Sequence, residues 1–315
     1  MKRSEAVALA SVALLQLPNV VWAQQARPKL RVGGNDGESL AEGLYATEGG
    51  FFARAGIDAE TVILPNGGAM TAAIVSGAID IGPSNIASIA AAHAHGLQLN
   101  LFAPSTVVSS SVPATTAVVV LKDSPLRAAK DFVGKTFALS TLRDLQQAAV
   151  MTWLDKSGVD SKAVNYTEIV PPQMMPALQA KRVDAVMLVE PFLSAARADV
   201  RFIARPYDTL GSHLLTFGFI ANKSWYDDNS ALVPKVITAI RQTAAWANHD
   251  HAATAAILAK MLKIAPEAFA TINRQSFEEG KLDPSMIQPI IDAAAHYGFL
   301  PHDFSAAELF APNVG

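Results

Sequence analysis

From Leu30 onward the chain alternates short runs of β character with stretches of helical period. Leu30-Arg31-Val32 reads as a strand, about Leu40 to Arg54 as a helix, Ala59 to Leu64 as a strand, about Ala69 to Ser76 as a helix and Ile79-Asp80-Ile81-Gly82 as a strand. The same order returns near residue 135. Thr136 to Leu139 is a strand, Leu142 to Lys156 a helix, Val164 to Val170 a strand, Met174 to Ala180 a helix and Val183-Asp184-Ala185-Val186 a strand. Alternation of this kind builds parallel sheets with helical crossovers, so the pattern predicts an α/β protein with two matching lobes.

The correspondence reaches single residues. Gly56-Ile57-Asp58 precedes Gly158-Val159-Asp160 by 102 positions, and Ala73-Ile74 with Ile79-Asp80 precedes Ala177-Leu178 with Val183-Asp184 by 104. An offset that drifts so little predicts one α/β unit built twice. Residues 112–121 and 214–221 are β-rich runs leading out of the first and second unit, and two such connections between lobes make a hinge. Beyond Trp225 the pattern is helical: about Ala231 to Asn248, His251 to Leu262, Pro266 to Ile272 and Pro284 to Tyr297, with Pro266 and Pro284 suited to first helical positions. This tail is expected to pack on the first lobe.

The N-terminus follows a different pattern. Lys2 and Arg3 precede an apolar stretch from Val7 to Leu17, Pro18 closes it, and Val21-Trp22-Ala23 offers a cleavage site before Gln24. About eleven apolar residues are too few for the ~20 of a membrane span, so residues 1–23 read as a secretory signal and the expected location is the periplasm. A formal net charge of −3 argues against nucleic acid as a partner, and 50% hydrophobic with 17% charged residues argues against disorder. The chain has no cysteine, which removes disulfides, thiolate metal sites and a cysteine nucleophile.

In parallel α/β sheets ligands gather beyond the carboxyl ends of the strands, where helix N-termini present unpaired N–H groups. That rule selects the loops 34–39, 65–69, 83–85, 140–143, 171–173 and 190–192. Their candidate donors are Asn35, Ser84, Asn85, Ser140, Thr141, Arg143 and the Gly67-Gly68 backbone; Asp36 and Glu190 are the acids among the candidates, and Phe192 and Phe217 can form an apolar wall. Ser39 with Glu42, and Thr141 with Asp144, have capping-box spacing, and their hydroxyls can be spent on their own helices.

Catalytic patterns are absent. Neither a Walker loop nor a dinucleotide fingerprint is present, and Pro83-Ser84-Asn85-Ile86 lacks the second glycine of a nucleophile elbow. His93/His95 and His249/His251 are two apart, about 200° around a helix, so neither pair forms a chelating face. No metal and no cofactor is expected.

Four stretches carry a resemblance: Gly49-Gly50-Phe51-Phe52-Ala53-Arg54-Ala55-Gly56-Ile57-Asp58, Ser76-Gly77-Ala78-Ile79-Asp80-Ile81-Gly82, Lys130-Asp131-Phe132-Val133-Gly134-Lys135-Thr136, and Ala177 to Asp184 running into Val189-Glu190-Pro191. Together they resemble the substrate-binding proteins of ABC importers of the nitrate, sulfonate and taurine group, which also includes binding proteins for thiamine-precursor pyrimidines. The resemblance implies a two-lobe periplasmic binding protein fold of type II-like form, with two mixed, mostly parallel sheets joined by two hinge strands and a helical C-terminal segment. Lobe one would comprise residues 28–117 and 218–315, and lobe two 118–217. One departure is that Gly37-Glu38-Ser39-Leu40 stands where relatives often carry a proline-aromatic pair.

The function implied is capture of a small solute by a monomer that delivers it to an ABC importer permease. A sulfonate, taurine-like or carboxylate solute is expected ahead of an aminopyrimidine. A pyrimidine-synthase branch shares the fold but relies on a cysteine-rich iron motif that this chain cannot supply, and a sensory partner of a membrane kinase is the third reading.

Overall fold

Thirteen strands organise the described residues of the computed structural model, which cover 27–35, 37–263, 265–270 and 272–312. They are β1 (Lys29–Gly34), β2 (Asp58–Ile63), β3 (Ile81–Asn85), β4 (Leu99–Pro104), β5 (Thr106–Ser109), β6 (Thr116–Leu121), β7 (Thr136–Leu139), β8 (Asn165–Glu168), β9 (Ala185–Val189), β10 (Val200–Ala204), β11 (His213–Leu215), β12 (Phe217–Asn222) and β13 (Ser276–Phe277). The expected signal segment, 1–23, and Asp36 lie outside the described residues. Among those described, no helix is long and apolar enough to cross a membrane.

Two five-stranded sheets result, in the orders β2-β1-β3-β12-β4 and β8-β7-β9-β6-β10. In each, three strands run parallel and the fourth is antiparallel to the third. The fourth strand comes in each case from outside the repeated unit: β6 precedes the second unit, and β12 follows it but returns to the first sheet. A small sheet, β11-β5-β13, sits where these connections pass. The two sheets thus share one topology, as the repeat predicts.

Atoms repeat as well as elements. Asp80 accepts the Arg31 backbone N–H at 2.7 Å and its own N–H bonds the Arg31 carbonyl; Asp184 accepts the Thr136 N–H at 2.8 Å and bonds the Thr136 carbonyl in return. Gly56 and Gly158 both stand at φ 78°, a left-handed conformation that costs glycine nothing. Each ends a helix, and the next residue, Ile57 or Val159, turns back to bond Phe52 or Leu154.

Several boundaries differ from the expectations. The helix expected over Leu40 to Arg54 is a short 3-10 turn (Glu38–Leu40) and two helices, Glu42–Glu48 and Phe51–Arg54, because Gly49-Gly50 interrupts it with Gly50 at φ 75°. Ser84 and Asn85, expected in a loop, complete β3, where the antiparallel partner β12 pairs with them. Pro171-Pro172-Gln173, expected as a loop, is the first turn of helix Pro171–Gln179, since proline tolerates the first turn, whose N–H groups lack partners. The helix expected over Pro266 to Ile272 is only a 3-10 turn, Pro266–Phe269.

The tail largely packs as expected. Helix Val233–His249 places Trp246 edge-on to Tyr45 and 5.3 Å from Phe51 on the first unit's helices. The turn after helix Gln288–His296 instead reaches the other sheet's layer, where the Tyr297 hydroxyl donates to Asp155 at 2.8 Å.

Candidate functional site

The carboxyl ends of the parallel strands in the two sheets meet through the caps of two of the helices that start there. Helix Ile86–Ala94 follows β3 directly and is capped by Asn85, whose Oδ1 accepts the Ser88 N–H at 2.8 Å. Helix Leu145–Lys156 follows the loop after β7 and is capped by Asp144, whose Oδ1 accepts the Leu145 N–H at 2.7 Å. The two caps touch: Asn85 Nδ2 donates to Asp144 Oδ2 at 3.1 Å, joining one sheet's strand end to the other's. Burial pushes the Asp144 carboxyl up to about 6; the Leu145 and Asn85 donors pull it down, and the charge of Glu168 adds to the rise.

Gly67 and Ser84 support this contact from below. Ser84, fully buried, donates to the Gly67 carbonyl at 2.8 Å and lies 2.8 Å from the Thr71 hydroxyl. A Cβ on Gly67 would stand 2.6 Å from Asn85 Nδ2, so only glycine lets the Asn85 amide lie so close. Gly68, by contrast, is exposed and its nearest neighbour would be Asn66 Oδ1 at 3.4 Å. Asn35, buried, bonds the Leu64 carbonyl at 2.6 Å and accepts the Gly37 N–H, so it ties the first loop to the second. Phe217 pairs with Asn85 across β12 and β3, which sets its ring beside the same strand end.

From the second unit, Ser140 gives both its N–H and its hydroxyl to Gln146 Oε1. Thr141 is half-buried next to it. Thr141 does not cap the following helix: Asp144 does, because Arg143 takes φ 54° and delays the helix start. Arg143 is exposed; its N–H bonds Gln147 and its guanidinium bonds the Gly298 carbonyl at 2.7 Å, 5.4 Å from the Phe299 ring. Phe192 starts the short helix Phe192–Ala195 and packs on the second sheet's core.

Glu190 is buried and its oxygens are taken up within the protein. Oε1 accepts the Ser194 hydroxyl at 2.8 Å and the Asn273 N–H at 3.2 Å, while Oε2 accepts the Ser194 N–H at 3.0 Å. Asn273 belongs to a strap, residues 273–275, that sequence reasoning did not single out. Its side chain bonds the Ala114 carbonyl at 2.8 Å, Gln275 Oε1 accepts from Thr115, and Arg274 forms a buried ion pair with Glu38, with Nε at 2.6 Å from Oε1. Glu38, in the first strand-end loop, is thus committed to an internal ion pair. No local motif marks residues 273–275, because the partners that tie them to the two sheets, Glu190 and Glu38, lie 83 and 237 positions away.

Beside the strap, between Thr115, Tyr207 and Gln275, a recess leaves only about 10 Å³, room for about one water. A hollow of about 660 Å³ lined by Phe102, Tyr226, Ile237 and Arg241 involves none of the strand-end loops. His93, in the last turn of its helix, lies 3.7 Å from Glu308 and 4.7 Å from the Phe304 ring, while the His251 carbonyl accepts from Arg274 of the strap at 2.7 Å. Among the described residues no group of three His, Cys, Asp or Glu side chains is placed to hold a metal.

Known proteins share this arrangement. A putative ABC transporter periplasmic binding protein of Brachyspira hyodysenteriae is 31% identical over 163 residues, 49% of this chain, and the match spans about half the length of that relative, 47%. The periplasmic aliphatic sulphonate binding protein SsuA of Escherichia coli superposes with a TM-score of 0.74 at 18% identity, covering 91% of this chain and 98% of the other. The alkanesulfonate-binding protein SsuA of Xanthomonas axonopodis pv. citri, bound to MOPS, gives 0.70 at 20% identity over 90% and 98%. The periplasmic nitrate-binding protein NrtA of Synechocystis gives 0.68 at 15% over 87% and 82%. At these identities the structural likeness is one of fold, and that fold is the periplasmic binding protein fold. The family described as NMT1/THI5 like matches residues 39–253, a span holding the second repeated unit, all of the first beyond its opening strand β1, and five of the six strand-end loops, and the chain belongs to that family.

Proposed function

We propose that the chain is an extracytoplasmic solute-binding protein of an ABC importer, a receptor that captures a small polar solute between two lobes and presents it to a membrane permease without chemically changing it. The observation that carries this reading is the meeting of the two strand ends at Asn85 and Asp144. Loops that cap helices from both sheets converge there, so a solute entering between them would find donors and acceptors on both sides. Asn85 and the Gly67 backbone, held from below by buried Ser84, stand on one side, Ser140, Thr141 and Asp144 on the other, with Phe217 at the edge.

The lobes we assign are 28–117 with 218–315, and 118–217. Strand membership supports them, since β6 enters the second sheet and β12 returns to the first within two residues of those limits. Delivery to a permease in the periplasm is supported by the curated relative and by the signal pattern at residues 1–23.

Binding energies set what the site must supply. A micromolar Kd needs about 8 kcal/mol. A helix N-terminus contributes about 0.3–2 kcal/mol to an anion, and charge-assisted hydrogen bonds about 1.5–3 kcal/mol each, so several hydrogen bonds closed off from water are required. Small-angle scattering with and without a solute established by calorimetry tests the reading. The radius of gyration should fall on saturation; an unchanged radius with a bound solute would contradict capture by lobe closure.

A further inference from the structure

We propose that Asp144 sets the charge that the cleft accepts: it admits solutes offering an ammonium or another hydrogen-bond donor at the lobe junction and turns away solutes whose only polar end is anionic. The inference rests on the receptor reading above and concerns the same site.

Four observations support it. First, Asp144 already occupies the position an incoming anion would seek. Two of the helices that begin at the junction, of nine and twelve residues and one from each sheet, have touching caps, and the Asp144 carboxylate, the cap of the longer, is bonded to the Leu145 N–H and to the Asn85 amide that belongs to the other cap. The favourable potential of these two helix N-termini is therefore met internally. Second, among the described residues the charge acting on Asp144 is that of an acid and not of a cation. Arg143, the only cation in the six strand-end loops, is exposed and spends its guanidinium on the Gly298 carbonyl and the Phe299 ring. Third, Arg274 is neutralised by Glu38 in a buried pair. Fourth, the charge acting on Asp144 from the neighbouring strand end β8 is that of Glu168, also negative, which holds the Leu142 N–H.

A second anion at this point would meet like charge in a partly desolvated space, where such juxtaposition weighs heavily. A donor would instead find a carboxylate whose own partners are one backbone N–H and one neutral amide. Selection against the wrong charge by a fixed repelling group is an established route to specificity.

The test uses matched pairs differing by one amine: ethanesulfonate against taurine, and pyrimidine against 4-aminopyrimidine, titrated calorimetrically into the full exported protein and into Asp144→Asn. Asparagine caps a helix about as well as aspartate, so the variant should fold, and an unchanged thermal midpoint verifies this. The wild type should prefer the amine-bearing member of at least one pair by tenfold or more, and Asp144→Asn should cut that preference at least tenfold, with ethanesulfonate gaining affinity. A wild type that prefers ethanesulfonate, or a preference equal in both proteins, would overturn the role of Asp144. Failure of the folded wild type to bind any of the four would count instead against the receptor reading and carry the inference down with it.

Discussion

Glu190 Oε1 accepts the backbone N–H of Asn273 at 3.2 Å, across 83 positions of sequence. The contact ties the end of β9 in the second sheet to the strap that also holds Glu38 beside the first sheet. A carboxylate with three internal donors is a brace between the lobes. Glu190→Gln replaces one acceptor oxygen with an NH₂ that faces donors, so it should lower unfolding free energy by about 1–3 kcal/mol, measured by urea denaturation. If Glu190 contacted a solute amine instead, stability would hold while affinity for amine-bearing solutes fell about 30-fold or more.

The ion pair Arg274–Glu38 gives a second prediction for the strap. Both side chains are buried, and removing one leaves the other uncompensated. Arg274→Met should destabilise by about 3–5 kcal/mol, and adding Glu38→Leu should recover much of the loss. Equal destabilisation in the single and double variants would show that packing, not the stranded carboxylate, dominates.

Glu42 makes stability depend on pH. Its carboxyl is fully buried, neither oxygen has a hydrogen-bond partner among the described residues, and burial pushes it up to about 8, the nearby Ser105 hydroxyl offsetting only a little of the rise. Between the ordinary value of 4.5 and about 8 the folded protein holds a proton that the unfolded chain releases, so stability is full below that window and falls as pH rises through it. Glu42→Gln should remove this slope. The stability of the variant relative to wild type should grow by about 1.4 kcal/mol per pH unit across the window. Asp144 titrates in the same direction in both proteins and cancels in the difference; parallel stability curves would refute the assignment.

Adjacent glycines should behave differently. Gly67→Ala would put a methyl 2.6 Å from Asn85 Nδ2 and 3.0 Å from its backbone N, displacing the Asn85 contact with Asp144, and should cost about 1–3 kcal/mol. Gly68→Ala, exposed in the first turn of the same helix, should be neutral or stabilise by up to about 1 kcal/mol. Thermal midpoints of the two variants decide the matter, and an equal loss at both positions would contradict the role given to Gly67.

The repeat was legible in the sequence because its markers are local. Gly56 and Gly158 end helices, and Asp80 and Asp184 bond the neighbouring strand in the same way, so identical chemistry recurs at nearly constant spacing. Thr136 to Leu139 was placed as found. Strand β4 is hidden in the sequence because Leu99–Pro104 is a continuous buried run, and β5 because Thr106–Ser109 is only four residues long; neither alternates clearly. The strand-end rule picks out Asn35, Ser84 and Asn85, whereas in the sequence Asp144 figures only as the acid at capping-box spacing after Thr141. Its meeting with Asn85 spans 59 positions, and nothing local announces such a contact. Arg143, read as a donor, faces Gly298 because its left-handed backbone redirects the side chain.

The most direct test of solute capture at the lobe junction is native mass spectrometry of the protein purified from its exporting compartment without refolding, beside Asn85→Ala treated identically. Wild type should carry one small-molecule adduct per chain, and the variant, with its thermal midpoint showing it folded, should lose it. A folded wild type of bare mass, or an adduct retained equally by Asn85→Ala, would contradict the account.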